Sequence, residues 1–226
     1  MNTLKLISIL LDYPHDELWQ HREELHQACQ HLGAKPRQRD ALAAFAVQLL
    51  DAEPLEAQSR WIETFDRGRS MSLLLFEHIH GESRDRGQAM VDLIENYRRL
   101  GFELATRELP DYLPLLLEVL AQQTEAVANE WLQHLGPILA LLAARATQRQ
   151  SPYAELFRVL RELAGAEHEL AAHGAIDEQV RDDTPAAMDA VWEEEAVRFG
   201  PGTIAAPCAG MRQKPRDQAD PVHIVG

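Results

Sequence analysis

The chain has 226 residues, 46% of them hydrophobic, with 22 Lys and Arg against 36 Asp and Glu, a formal net charge of −14. Such acidity repels nucleic-acid phosphates and anionic lipid surfaces, because both associations depend on basic side chains displacing counterions, and neither is expected as a partner. The length and apolar content suffice for a real core, which excludes disorder throughout.

Taken in chain order, apolar residues recur at steps of three and four, which places each set on one face of a helix. Leu4, Ile7 and Leu11 open the series, followed by Leu42, Phe45 and Leu49, then Met90, Leu93, Ile94, Tyr97 and Leu100. Leu113, Leu116 and Leu120 form the next set, then Val127, Trp131, Leu135, Ile138 and Leu142, and finally Tyr153, Leu156, Phe157, Leu160 and Leu163. Pro36 and Pro54 suit first helical turns, and Gly33 and Gly101 suit helix ends. Asp111 is expected to cap a helix beginning at Tyr112 that tolerates Pro114 in its first turn. Ser151-Pro152 and Thr184-Pro185 pair a capping hydroxyl with a proline at the first helical position. Gly136-Pro137 predicts a kink or break, since Pro137 removes a donor and crowds the carbonyl of Gln133. No segment alternates convincingly as a strand.

The predicted fold class is all-α, a single-domain helical bundle over 1–199. Within it, 167–199 is acidic: Glu167 to Glu195 holds ten acidic side chains with Arg181 as its only basic one. This stretch is expected to form peripheral helices that carry Val180, Met188 and Trp192 inward, or to stay partly mobile. Residues 200–226, rich in Gly and Pro without apolar period, read as a disordered tail. The N-terminal sequence lacks an export-like apolar run with a small-residue cleavage site. The apolar stretches around Leu113 and Ile138 fall short of the roughly 20 residues that span a bilayer. Cys29 and Cys208 make no disulfide framework. A soluble, cytoplasmic protein is expected.

Between Trp61 and Gly87, charge, Gly and His are denser than a helix connector requires. His78 and His80 with Glu77 and Glu82 have the donor types of a zinc or iron site. An H-x-H pair at a helix end diverges, however, so turn hydrogen bonding is the preferred reading and no metal is expected. Arg67, Gly68, Arg69 and Ser70 have the chemistry of a phosphate cradle. The nucleotide-binding glycine patterns are absent, and internal ion pairing among Asp66, Arg67, Arg69, Glu82, Arg84, Asp85 and Arg86 is the commoner use of such a cluster. No nucleophile motif occurs, and His21, His26 and His31 turn about 140° per step of five, off any common face. Catalysis is not expected, and no catalytic residue or cofactor is assigned. A helical binding module remains, with Trp61, Phe65, Phe76 and Tyr112 as apolar anchors and a basic amphipathic segment as the favoured partner.

Thr64-Phe65-Asp66-Arg67-Gly68-Arg69-Ser70, continued by Leu75-Phe76-Glu77-His78-Ile79-His80-Gly81-Glu82-Ser83-Arg84-Asp85-Arg86-Gly87-Gln88-Ala89-Met90, resembles the charged motif of NarJ-type assembly chaperones of respiratory nitrate reductase. These belong to the wider group of TorD- and DmsD-like maturation chaperones for molybdoenzymes. Tyr97 to Gly101 followed by Glu108-Leu109-Pro110-Asp111-Tyr112-Leu113-Pro114 is similar to the E-x-P-D-H signature of that group, with Tyr112 in place of His. Pro137-Ile138-Leu139-Ala140-Leu141-Leu142 is a third match. The resemblance implies an all-helical cytoplasmic chaperone that binds the immature catalytic subunit of nitrate reductase, including its N-terminal leader-like segment. It would promote molybdenum cofactor and iron-sulfur cluster insertion before membrane docking, with molybdenum cofactor biosynthesis proteins as further partners. A sister chaperone for a sulfoxide, amine-oxide or formate enzyme, or a phosphate- or nucleotide-binding protein, are the alternatives. Carried over by motif position, Asp111 and Tyr112 are groove residues, and Phe65, Arg67, Arg69, Phe76 and His80 contact the client or shape its groove. Trp61 and Glu108 complete the candidate set.

Overall fold

The computed structural model describes residues 2–80, 83–104, 108–165, 181–187 and 189. Ten α-helices lie between Thr3 and Leu163: α1 (Thr3–Leu11), α2 (Asp16–Gln20), α3 (Arg22–Gln30), α4 (Pro36–Leu50), α5 (Pro54–Phe65), α6 (Leu75–Ile79), α7 (Asp85–Arg99), α8 (Leu113–Leu120), α9 (Glu125–Gln148) and α10 (Ala154–Leu163). Among the described residues no strand forms, and the only β pairing is an isolated antiparallel bridge between Leu74 and Tyr112. The chain divides into two compact units, Met1–Met188 and Asp189–Gly226, and all ten helices belong to the first. The expectations for Val180, Met188 and Trp192, for 200–226 and for most of 167–199 lie outside the described residues. No described helix is long and apolar enough to cross a membrane.

Most of the predicted apolar sets are the faces that pack, but in α9 Val127, Trp131 and Leu135 are only half-buried and the enclosed stripe runs instead through Leu132, Leu139 and Leu142. Leu6, Ile7, Leu10 and Leu11 of α1 are fully enclosed, as are Leu113, Leu116, Leu117 and Leu120 of α8, the helix against which α1 lies. The hydroxyl of Ser8, buried in that contact, donates to the carbonyl of Pro114 at 2.7 Å, so the interface carries no orphaned polar group there. α10 runs back along α9 and buries Leu156, Phe157, Val159 and Leu160, each contributing about 1.5–3 kcal/mol through lost apolar exposure. α3 pairs with α4, and Cys29 is buried in α3.

The helix ends mostly follow the sequence. Asn2 caps α1 by accepting the Lys5 N–H at 2.9 Å, and Pro36 and Pro54 stand in the first turns of α4 and α5. Gly101, at φ 89°, closes α7: the Phe102 N–H returns to the Tyr97 carbonyl at 2.9 Å and the Gly101 N–H to that of Arg98. Thr184 accepts the Ala187 N–H at 3.2 Å, as its Thr-Pro pair predicts. α3 ends at Gln30, short of Gly33.

Two expectations need correction, and of the kink or break expected at Gly136-Pro137 the break does not form. Ser151 does not cap α10, which starts at Ala154, because Ser151 already closes α9. Gln150 takes a left-handed φ of 53°, the Ser151 N–H bonds the Ala146 carbonyl at 2.9 Å, and the Gln150 N–H bonds that of Thr147 at 3.0 Å. α9 does not break at Gly136-Pro137 but runs on through Pro137, which is exposed, while Leu132, Leu139 and Leu142 on both sides keep one buried stripe. The roughly 3 kcal/mol cost of an interior proline is offset by that packing. Finally, α8 starts at Leu113, with Tyr112 as the flanking residue, and the Asp111 carboxylate caps a different helix.

Candidate functional site

That helix is α6. The Asp111 carboxylate accepts the Phe76 N–H at 3.0 Å, satisfying a first-turn donor of a helix 35 residues earlier in the chain. The Leu75 N–H donates to the Asp111 carbonyl at 3.0 Å and the Leu113 N–H to the Leu73 carbonyl at 2.9 Å, so residues 73–76 and 110–113 are clipped together along both backbones. Tyr97, enclosed in α7, donates its hydroxyl to the Pro110 carbonyl at 2.7 Å. Arg86 stands 3.5 Å from Glu77 and 3.9 Å from Asp111. Asp111 is fully buried and its Oδ1 has no hydrogen-bond partner. Burial therefore pushes its carboxyl above the usual range, against the pull of the Phe76 N–H and the Arg86 guanidinium. The two sequence motifs that carry the resemblance thus form one structural joint.

From that joint Tyr112 reaches the end of α1, where its hydroxyl donates to Asp12 Oδ1 at 2.8 Å. Burial, then the adjacent Asp12 charge, raises the phenol above its ordinary value, so it remains a donor. Trp61 reaches the same place from α5, its indole N–H donating to the Leu11 carbonyl at 2.8 Å. Gln58 bonds the Pro14 carbonyl at 3.0 Å, and the Trp61 ring meets Tyr13 edge-on, with centroids 5.3 Å apart. The Trp61 bond satisfies a carbonyl that the termination of α1 leaves open, and with the Gln58 and Tyr112 bonds it fixes the turn at Asp12-Tyr13-Pro14.

Beyond that turn lies an open cleft of about 450 Å³ lined by Ile9, Asp12, Tyr13, His15, Glu17, Leu18, His21, Glu24 and Leu25. Ile9, Leu18 and Leu25 supply aliphatic lining, Tyr13 supplies an aromatic wall, and Asp12, Glu17 and Glu24 supply acidic charge. A second hollow lined by His15, Asp16, Glu17, Gln20 and Gln58 shares His15 and Glu17 with it. Such an arrangement suits an amphipathic helix with apolar anchors and flanking basic side chains.

Arg67, Gly68, Arg69 and Ser70 form a loop on which a carboxylate does sit, and it belongs to the chain itself. The Ser70 N–H donates to Asp182 Oδ2 at 2.7 Å, the Ser70 hydroxyl bonds Asp182 Oδ1, and Arg149 Nη2 donates to the same Oδ1 at 2.8 Å. Arg145 Nη1 holds the Ser70 carbonyl at 2.7 Å, and Arg181 grips Asp183 through two bonds of 2.9 and 2.8 Å. Burial opposes ionisation of Asp182, but the Ser70 donors and Arg149 outweigh it and hold the carboxyl below the usual range. Asp183 is likewise lowered, chiefly by its hydrogen bonds from Arg181.

The nine sequence-assigned residues therefore separate. Trp61 and Tyr112 converge on the end of α1, at Leu11 and Asp12, of which Asp12 lines the cleft. Glu108 is exposed, and its charge is felt by the Tyr112 phenol. Phe76 and Asp111 belong to the joint, with the His80 ring edge-on to Phe76 at 5.5 Å. Phe65 is 5% exposed and packs on Tyr153, Trp61 and Phe157, so it shapes the bundle from inside, as Asp111 does. Arg67 is exposed 3.8 Å from Glu63, and Arg69 is exposed in the Ser70 loop. His78 bonds the Ser72 carbonyl at 2.8 Å through Nε2, which ties the loop before α6 to that helix. Among the described residues no group of three or more His, Cys, Asp or Glu side chains is placed to hold a metal ion. Sequence reasoning missed the cleft residues Tyr13, Leu18 and Leu25, whose signal was the helix-breaking Asp12-Tyr13-Pro14. It also missed Arg145 and Arg149, one turn apart at the end of α9.

The profile of the family described as nitrate reductase delta subunit matches residues 22–159. The chain is 52% identical over 202 residues to the nitrate reductase molybdenum cofactor assembly chaperone NarJ of Escherichia coli (strain K12), covering 88% of this chain and 85% of that protein. It is 47% identical over 203 residues to the probable nitrate reductase molybdenum cofactor assembly chaperone NarW of the same strain, with 88% and 84% covered. To the probable nitrate reductase molybdenum cofactor assembly chaperone NarJ of Bacillus subtilis (strain 168) it is 31% identical over 159 residues, 70% of this chain and 85% of that one.

Proposed function

Because this chain belongs to the nitrate reductase delta-subunit family and is similar over most of its length to curated molybdenum cofactor assembly chaperones, we propose that it is such a chaperone and receives its client in the cleft beyond α1. The client is the immature catalytic subunit of a respiratory nitrate reductase, engaged through an N-terminal, leader-like amphipathic segment. Holding that subunit in the cytoplasm before membrane docking keeps it open for insertion of the molybdenum cofactor and an iron-sulfur cluster. Proteins of molybdenum cofactor biosynthesis would meet the complex at that stage.

The observation that carries this reading is the pairing of apolar lining with Asp12, Glu17 and Glu24 in one open cleft. An amphipathic helix gains about 1.5–3 kcal/mol for each large apolar side chain it buries there, and rim charges set its direction and on-rate. Trp61 and Tyr112 act from behind, by fixing the turn on which Tyr13 stands.

Calorimetry with a peptide from the reductase N-terminus tests this. Binding to the intact chain is expected, weakening at least tenfold in Tyr13→Ala and losing much of its salt dependence in Glu17→Gln combined with Glu24→Gln. No binding, or equal binding to all three proteins, would sink the assignment.

A further inference from the structure

We propose that the Ser70 and Arg149 cradle is an exchangeable oxyanion site, occupied here by Asp182 as an internal ligand, whose external ligand carries a phosphate group. It is separate from the α1 cleft and independent of what binds there. Three donors meet the Asp182 carboxylate: the Ser70 N–H, the Ser70 hydroxyl and Arg149 Nη2. That is the donor set of an anion-binding loop, a backbone amide and hydroxyl beside a guanidinium fork. Gly68 leaves the approach open: its φ is 88°, and a Cβ there would stand 2.7 Å from Asp182 Cγ.

Two observations point beyond a carboxylate. The Arg149 side chain is 7% exposed, yet its Nε has no hydrogen-bond partner, and the buried Ser151 hydroxyl beside it also lacks one. Both residues line an adjoining pocket of about 420 Å³, where Arg60, Arg67, Arg149 and Arg181 outnumber Glu63 and Asp183. A carboxylate offers two oxygens and one charge. A phosphate monoester or free phosphate offers further acceptor oxygens and close to two charges, which matches the Arg149 Nε and the Ser151 hydroxyl that Asp182 leaves without a partner, although Arg149 and Arg181 are also paired with Asp183. Because Asp182 is tethered, its effective concentration is on the order of millimolar, so a free anion must compete with it in the intact chain.

The test uses the full chain with inorganic phosphate and glycerol 3-phosphate as probes, at constant ionic strength. Asp182→Asn keeps the shape but removes the charge, and it is expected to bind one or both probes at least tenfold more tightly than the unmodified chain. Adding Arg149→Gln to it should abolish that binding. Tighter binding of the ester assigns the site to a phosphate ester, and tighter binding of inorganic phosphate assigns it to the free ion. A folded Asp182→Asn protein with no gain for either probe would overturn the proposal and leave Asp182 as a fixed ion pair. Should that variant not fold, tryptic cleavage after Arg181 in the unmodified chain decides. Acceleration by phosphate over chloride supports exchange, and an unchanged rate overturns it.

Discussion

Asp111 and Asp182 both accept a backbone N–H from the central motif, at Phe76 and at Ser70, and they are held in opposite ways. Asp111 is fully enclosed, with one oxygen lacking a partner, and burial raises its carboxyl. Asp182 is partly exposed and surrounded by donors, which hold its carboxyl down. The contrast separates a carboxylate that joins two segments from one that behaves as a ligand. The first is surrounded by backbone that moves only if the fold opens. The second is met by one backbone N–H and by the Ser70 and Arg149 side chains at a partly exposed position.

Removing Asp111 should be the most costly single change. Asp111→Ala strands the Phe76 N–H and takes a partner from Arg86, and a loss of about 2–3 kcal/mol in urea unfolding is expected. Asp111→Asn, which keeps an acceptor at that place, should recover most of it, and equal losses in the two variants would break the distinction. Gly68→Ala comes next, at about 1–2 kcal/mol, because alanine is strained at a positive φ and its Cβ drives into Asp182. If the same substitution costs less than about 0.5 kcal/mol, the close approach of Asp182 is not maintained in solution. Tyr112→Phe should cost only about 0.5–1.5 kcal/mol, the worth of its bond to Asp12, while changing peptide affinity more than stability.

The finest effect is a pair of inflections read by NMR. The Ser70 amide reports Asp182 and should shift below the ordinary aspartate value of about 3.9, whereas the Phe76 amide reports Asp111 and should shift above it. The signs follow from linkage. The stabilisation from Asp182 is present above about pH 3.9 and lost as pH falls through its depressed pKa. For Asp111 the order reverses: its contribution is complete below that value and declines as pH rises through the raised pKa. Inflections in the same order for both amides would remove the basis of the comparison.

Most helices were legible because each buries one apolar stripe, and the stripe is written locally, as in Leu156, Phe157 and Leu160. Local caps such as Pro36, Pro54, Gly101 and Thr184 were legible for the same reason. What sequence could not supply was pairing at a distance. Asp111 looked like a cap for the helix directly after it, because nothing local says that the first turn of α6 lies beside it. Ser151 looked like a start, yet the left-handed Gln150 spends its N–H on closing α9. The candidate site suffered most, since Trp61 meets Leu11 across 50 positions and Tyr112 meets Asp12 across 100. The charged loop was readable as an anion cradle, but its occupant lies 112 positions away, in a stretch that looked merely acidic.

The contact of α1 with α8, sealed by Ser8 and Pro114 across 106 positions, also bears on how the molecule is made. At about 5–20 residues per second of synthesis, the ribosome emits α1 roughly 5–20 s before the helix that covers it. For that interval Leu6, Ile7, Leu10 and Leu11 have no final partner, and the turn at Tyr13 has neither Tyr112 nor a settled α1 to lean on. If the cleft beyond α1 is the receiving surface proposed above, it is completed only after most of the chain has been synthesised, so a nascent chain could not yet engage a client there.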